Sequence, residues 1–146
     1  MTARRPYDFW TAYTWPPGRP VDPQERTMYR IGKDFKFDAA HQLGHLPDDH
    51  KCARLHGHTY HVVFHLEADE LDADGFVIDY GELAPVKRWI DATLDHRNLN
   101  DVVPPGVLTT AEAMAAWLFE EWCDSYPNLV AVTVKETEAT YSEYRP

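Results

Sequence analysis

Five of the eight histidines lie between positions 41 and 58. His56-Gly57-His58 opens a run whose even positions continue as Tyr60, Val62, Phe64 and Leu66. Such alternation marks a half-buried strand, and residues two apart in a strand share a face, so both imidazoles point inward with Tyr60 and Val62. His41 ends an earlier alternating run in phase with Phe35 and Phe37, and it points inward too. If the two runs pair as a hairpin, three imidazoles meet at one end of a sheet. Three histidines with a fourth position open form the ligand set of a catalytic zinc, which polarises substrate oxygens as a Lewis acid. Gly57 places no side chain between its two histidines, so a neighbouring backbone can come close. His61 and His65 fall on the opposite face and read as surface or interface residues. His45 and His50 are loop residues with no assigned part.

Three further groups have chemistry to offer. Cys52 lies four residues before His56, beside Lys51 and Arg54. A thiol among cations is disposed to act as thiolate. Cys123, at the end of an amphipathic segment next to Trp122, reads as packing. Asp95-His96 sets a carboxylate and an imidazole side by side at a helix end, where they can relay protons or simply cap the helix. Glu136 follows Val130, Val132 and Val134 at two-residue steps, so its carboxylate points to the apolar side. A buried carboxylate needs a partner. The residues leave two readings open: a ligand with paired N–H donors, or an ordinary strand-end glutamate that reaches water or an ion pair.

The elements that must position these groups follow from periodicity. Tyr29, Ile31, Phe35 and Phe37 mark a first strand and His56 to about Glu67 a second, with a polar loop over 44–55 between them. Asp72-Ala73-Asp74-Gly75 is a turn, followed by the short apolar piece Phe76-Val77-Ile78. Leu83, Val86, Ile90 and Leu94 predict a helix over 82–94, with Pro85 tolerated in its first turn. Thr109-Thr110-Ala111-Glu112 has the Thr-x-x-Glu form of a capping box, opening a helix with Met114, Trp117, Leu118 and Trp122 on one side. A last long strand over 130–136 and a short closing strand over 140–144 complete the order ββααββ. That is an α+β fold with a four-stranded antiparallel sheet and two helices on one face. The first 28 residues stand apart. Pro6, Pro16, Pro17, Pro20 and Pro23 lie among Tyr7, Phe9, Trp10, Tyr13 and Trp15. Disordered tails are poor in aromatics, so this segment reads as an extended arm docking on the body or on a neighbouring subunit. Residues 29–146 then form a single domain.

A chain of 146 residues with 44% apolar residues supports one core. Its net charge of −10 argues against gripping nucleic acid or an anionic membrane through bulk charge. No stretch approaches the roughly 20 apolar residues of a membrane span, and no apolar run follows Arg4 and Arg5 to make a secretory signal. Two cysteines are too few for a disulfide scaffold, so a reduced, cytoplasmic protein is the default.

Four blocks together resemble the 6-pyruvoyltetrahydropterin synthase family: Phe37-Asp-Ala-Ala-His41, Cys52-Ala-Arg-Leu-His56-Gly-His58, Leu94-Asp-His96 with Asn98-Leu-Asn100, and Val134-Lys-Glu136-Thr137. The resemblance runs from about Lys33 to Tyr144. The short gap between Cys52 and His56 is similar to the 6-carboxytetrahydropterin synthases of the queuosine and deazapurine pathway. It implies the tunnelling fold (T-fold), in which three subunits close a barrel and two trimers stack into a homohexamer with active sites between subunits. It implies that His41, His56 and His58 hold zinc and that Cys52 is the general base. Asp95 and His96 are implied as proton-relay partners reaching in from a neighbouring subunit, and Glu136 as the anchor of a pterin ring. The implied reaction is a lyase conversion of 7,8-dihydroneopterin triphosphate to 6-carboxy-5,6,7,8-tetrahydropterin, acetaldehyde and triphosphate. Lys51 and Arg54 are expected to meet the triphosphate as local positive charge. The family's Pro-Thr-x-Glu pattern is here Leu108-Thr109-Thr110-Ala111-Glu112. That places Thr110 and Glu112 on the substrate side, or leaves Glu112 only a cap. Pyruvoyltetrahydropterin formation, side-chain cleavage of sepiapterin-like pterins, and a non-catalytic zinc- and pterin-binding protein are the competing expectations.

Overall fold

The computed structural model describes residues 28–146, so most of the expected arm lies outside the described residues. Two long strands dominate: β1, Tyr29–His41, and β2, His56–Ala68. They pair antiparallel over their whole length, with Phe35 opposite Val62, Phe37 opposite Tyr60 and His41 opposite His56. The loop between them contains a single 3₁₀ turn, Lys51–Ala53. After β2 the chain makes a 3₁₀ turn, Tyr80–Leu83, which runs into α1, Ala84–Thr93. Asp79 caps that turn by accepting from the Gly81 N–H at 2.7 Å. Pro85 sits in the first turn of α1, where its missing N–H has no partner to lose. Short elements β3, Arg97–Asn98, and α2, Leu99–Val102, lead to α3, Ala111–Trp122. The chain ends with β4, Leu129–Lys135, and β5, Ser142–Tyr144.

One face of the sheet carries the core. Phe35, Phe37, Tyr60, Val62, Phe64 and Leu66 pack against Leu83, Val86, Ile90 and Leu94 from the α1 region and Met114 and Leu118 from α3. The α+β class and the one-sided helices are as the periodicity predicts. The sheet itself differs from the expected four antiparallel strands. Its order is β3-β1-β2-β4-β5, and β3 pairs parallel with β1 at Ala39 and Ala40. Two side-chain and turn contacts hold this extra strand. The His96 N–H donates to the Asp38 carbonyl at 2.6 Å, and the Asn100 side chain accepts from Gln42 N–H at 2.8 Å while donating to its carbonyl at 2.9 Å. A two-residue strand has no period to read.

Two further expectations shift by one residue. The helix cap at α3 is Thr110, whose hydroxyl accepts from the Ala113 N–H at 3.3 Å, so Thr109 and Glu112 do not form a capping box. Thr109 is instead buried one residue upstream. On β4 the register slips between His65 and Leu66 of its partner, which leaves Val130 opposite no residue and seats Leu129 in the core instead. A bulge of this kind turns a strand's phase over by one.

His65 is the outer-face histidine with the most contacts. It bonds the Thr133 hydroxyl at 2.7 Å and lies 3.6 Å from Glu143. Burial, aided by Arg30 and Arg145 and opposed by Glu143 and Glu67, holds its pKa below the usual 6.5. The unfolded chain therefore takes up a proton near pH 6.5 that the folded chain resists, so stability falls as pH drops through that value. His65→Gln removes the titration. Denaturant unfolding of the variant should show a shallower loss of stability between about pH 7.5 and 5.5 than wild type; equal slopes would remove His65 as a source.

Candidate metal and ligand site

The register of β1 against β2 assembles the histidines. His41 faces His56 across the pair, and His58 faces the small Ala39, which leaves room for its ring. The ring centroids lie 4.5 Å apart for His41–His56, 5.2 Å for His41–His58 and 4.9 Å for His56–His58. One potential ligand atom from each lies within 4.8 Å of the others. Beneath them Tyr60 stacks on Phe37 and meets His41 and His58 edge-on. Gly57 matters here because a Cβ on it would come within 3.3 Å of the Ala39 carbonyl oxygen. A side chain would push the two histidine-bearing strands apart.

Each imidazole is tied to backbone. His41 Nδ1 donates to the Thr109 carbonyl at 2.7 Å, and His56 Nδ1 to the Arg54 carbonyl at 2.7 Å. His58 bonds the backbone of Glu136. A carbonyl only accepts, so Nδ1 of His41 and of His56 carries the proton, and in the neutral ring Nε2 presents a lone pair. The two Nε2 atoms are 3.1 Å apart. Two lone pairs at that distance repel unless a proton or a cation lies between them. Burial holds both His41 and His58 below their ordinary pKa, with the neighbouring histidines adding to the effect, which disfavours the proton. Nitrogen ligands of tetrahedral zinc at about 2.0–2.1 Å sit about 3.3 Å apart, so the donor set fits such an ion. Backbone acceptors on the distal nitrogens are the usual means of orienting histidine ligands.

These rings line a cavity of about 530 Å³ together with Leu43, Lys51, Cys52, Arg54, Leu55, Glu136, Thr137 and Thr140. Cys52 is fixed by its backbone: its N–H donates to His50 Nδ1 at 3.1 Å and its carbonyl accepts from Leu43 N–H at 2.8 Å. Glu136 stands one residue past β4, half-buried, with one oxygen 3.9 Å from His41 Nε2. Burial and the charge of Glu112 push its carboxyl up, while His56 opposes them. At 3.9 Å the His41 imidazole and the Glu136 carboxyl are beyond hydrogen-bond distance. Glu112 shares a smaller cleft with Glu136, Thr140 and Tyr141. Thr110 is occupied as the α3 cap.

Asp95 and His96 lie elsewhere. They touch, Nδ1 to Oδ2 at 2.9 Å, and each favours the other's charged form: Asp95 is held low by the Asp38 N–H and then His96, and His96 is held high by Asp95. His96 adopts the left-handed φ of 56° and its side chain is 77% exposed. It borders a separate open cleft with Asp38, Gly57, His58, Thr59, Arg97 and Asn98. Neither Asp95 nor His96 lines the Cys52 cavity, and His58 is the residue that the two clefts share. The sequence assigns Thr109 only to a capping box and His50 only to a loop; in the structure Thr109 acts through its carbonyl on His41 and His50 through the turn that holds Cys52.

Zinc titration of metal-free protein should reach about one ion per chain and raise Tm, and His41→Ala or His58→Ala should abolish that binding. Ligands must be neutral to bind, so affinity should weaken as pH falls below about 6.5. Gly57→Ala should lose about tenfold in affinity with the fold retained, as read by calorimetry and circular dichroism.

No helix among the described residues is long and apolar enough to cross a membrane. The 6-pyruvoyl tetrahydropterin synthase family model matches residues 30–146. A 6-carboxy-5,6,7,8-tetrahydropterin synthase of Synechocystis is 37% identical over 124 residues, covering 80% of this chain and 93% of that protein. One from Bacillus subtilis is 31% identical over 134 residues, covering 84% and 89%. The solved structure of Caenorhabditis elegans 6-pyruvoyl tetrahydropterin synthase superposes with a TM-score of 0.72 at 27% identity, over 82% of this chain and 96% of that one. The T-fold sheet, the histidine cluster and these likenesses agree, and the chain belongs to the 6-pyruvoyl tetrahydropterin synthase family of enzymes.

Proposed function

We propose that the protein converts 7,8-dihydroneopterin triphosphate and water to 6-carboxy-5,6,7,8-tetrahydropterin, acetaldehyde and triphosphate, as a zinc-dependent lyase. The observation that carries the reading is the cavity in which three backbone-tethered imidazoles, Cys52 and Glu136 face one space. Its volume suits a small ligand. The curated relatives from Synechocystis and Bacillus subtilis named for this step support the choice of branch.

In this reading His41, His56 and His58 would hold zinc, which when bound would supply Lewis acidity toward the substrate's side-chain hydroxyls. Cys52 takes up a proton from the substrate as general base, its sulfur held on the cavity wall by the turn that His50 caps. Glu136 accepts paired N–H donors of the pterin ring. Those donors supply the partner that its half-buried carboxylate lacks and offset the repulsion from Glu112. Lys51 and Arg54 line the cavity and meet the triphosphate as the local cations of an acidic chain. Thr110 serves as the α3 cap, and Glu112 acts on the substrate only through Glu136. No redox cofactor is required, because the ring gains the electrons that the side chain loses.

Asp95 and His96 enter as a relay supplied by a second subunit. Their exposure and their separation from the Cys52 cavity support this, as does the strained backbone that holds the imidazole outward. The assembly expected is the hexamer of two stacked trimers in which each site draws on more than one chain.

Mass spectrometry of zinc-loaded protein with 7,8-dihydroneopterin triphosphate, with acetaldehyde trapped in parallel, should give the carboxylated pterin and acetaldehyde in equal amounts. A pyruvoyl product without acetaldehyde would move the protein to the sister activity. No turnover with zinc bound would favour a binding protein. Cys52→Ala should lose at least about a hundredfold in kcat while keeping zinc. Joint neutralisation of Lys51 and Arg54 should raise KM by about tenfold or more, and an unchanged KM removes them from the triphosphate site. Cys52→Ala and His96→Ala, each inactive alone, should regain about a quarter of full activity when unfolded and refolded together, if sites are shared between chains. No regain would place the relay within one chain.

A further inference from the structure

At the end of the β1–β2 pair far from the histidines lies an apolar surface that the proposed reaction does not use. Met28, Tyr29, Leu71, Phe76 and Tyr80 are five of the eight large apolar residues that remain exposed among the described residues. Four of them line one groove of about 290 Å³, floored by the half-buried Ile31, Val77 and Ile78. The exposure is built in. Asp72 accepts from the N–H groups of Asp74 at 3.0 Å and Phe76 at 2.8 Å, and its own N–H donates to the Phe76 carbonyl at 2.9 Å, so the turn presents Phe76 in a fixed place. Contiguous apolar surface of this kind marks a contact site.

We propose that this groove seats the chain's own N-terminal segment, with Tyr13-Thr14-Trp15-Pro16-Pro17 lying across it. Three observations select that occupant. Residues 1–27 join the described chain at the exposed Met28, next to Tyr29, which lines the groove. The ten residues between Pro17 and Met28 span roughly 30 Å when extended, enough to turn and return over the groove. The segment is rich in aromatics and prolines, which bring large apolar area at low conformational cost. Charge is complementary as well. The segment has four arginines against three acids, while the turn beside the groove carries Asp69, Glu70, Asp72 and Asp74. Tethering gives the segment a high effective concentration at its own groove, which favours it over a partner arriving from solution. The family match begins at residue 30, so the segment lies outside the shared core and the inference is independent of the reaction proposed above.

The test is hydrogen–deuterium exchange on the full chain, with molar mass from light scattering. In wild type, residues 13–15 should exchange more slowly than an unstructured peptide. Leu71→Glu with Phe76→Glu should speed that exchange by about tenfold or more at unchanged molar mass. The reciprocal pair Tyr13→Ser with Trp15→Ser should speed exchange over residues 71–80, and it carries the test alone if the groove variant fails to fold, because it alters nothing in residues 28–146. Unprotected residues 13–15 in wild type would overturn the proposal. So would a groove variant of smaller molar mass with unaltered exchange at 13–15, which would assign the groove to a second copy. Protection that grows with protein concentration would overturn docking within one chain.

Discussion

The site depends on the register of β1 against β2. Side chains alternate faces with a period of two, so a slip of one residue would turn His41 away from His56 and His58 and drive Phe35 and Phe37 out of the core. The register is therefore enforced by the apolar burial of the same strands that carry the ligands. Phe35 against Val62 and Phe37 against Tyr60 fix the pairing that brings His41 opposite His56. The geometry of the histidine-bearing end is set by packing along the whole hairpin, with the Tyr60–Phe37 stack directly below the imidazoles.

Electrostatics then act on a scaffold that is already placed. Burial and the neighbouring histidines push His41 and His58 toward the neutral form, while backbone carbonyls fix which nitrogen of His41 and His56 is free. Nearby, Glu136 and Glu112 raise the cost of a second uncompensated negative charge. Neutral donors beside a carboxylate under repulsion make a pocket that favours cations and N–H donors. The same pocket would reject an anion except at its rim, where Lys51 and Arg54 lie. A ligand that is a hydrogen-bond donor at one end and polyanionic at the other matches that division. The chain's overall acidity does not conflict with it, because the cations are local.

What could be read in the sequence was whatever repeats. The strand phases of Phe35, Phe37, Tyr60 and Val62, the helical spacing of Leu83, Val86 and Ile90, and the in-phase histidines are all visible as periods, and they delivered the α+β class, the core face and the clustering of three histidines. Features that rest on single contacts were not visible. The parallel pairing of Arg97–Asn98 depends on Asn100 and Gln42. The bulge at Val130 inverts a phase that the valines alone suggest is unbroken. Thr109 enters through its carbonyl, which any residue possesses, so its type carries no signal. Thr110 caps the helix while the Thr109 hydroxyl accepts from the Asn100 side chain at 3.4 Å, a contact across nine residues that no period shows.

The His96 cleft lies at the edge of the sheet: Asp38 and Thr59 border it from one face of the hairpin and Ala39 and His58 from the other. Cys52 opens onto the imidazole side. Asp95 accepts from the Asp38 N–H with one carboxylate oxygen and meets His96 Nδ1 with the other, which holds the imidazole out in solvent. Neither Asp95 nor His96 lines the Cys52 cavity, so the relay proposed for them would have to come from a neighbouring chain, with the exposed His96 as the group to be received.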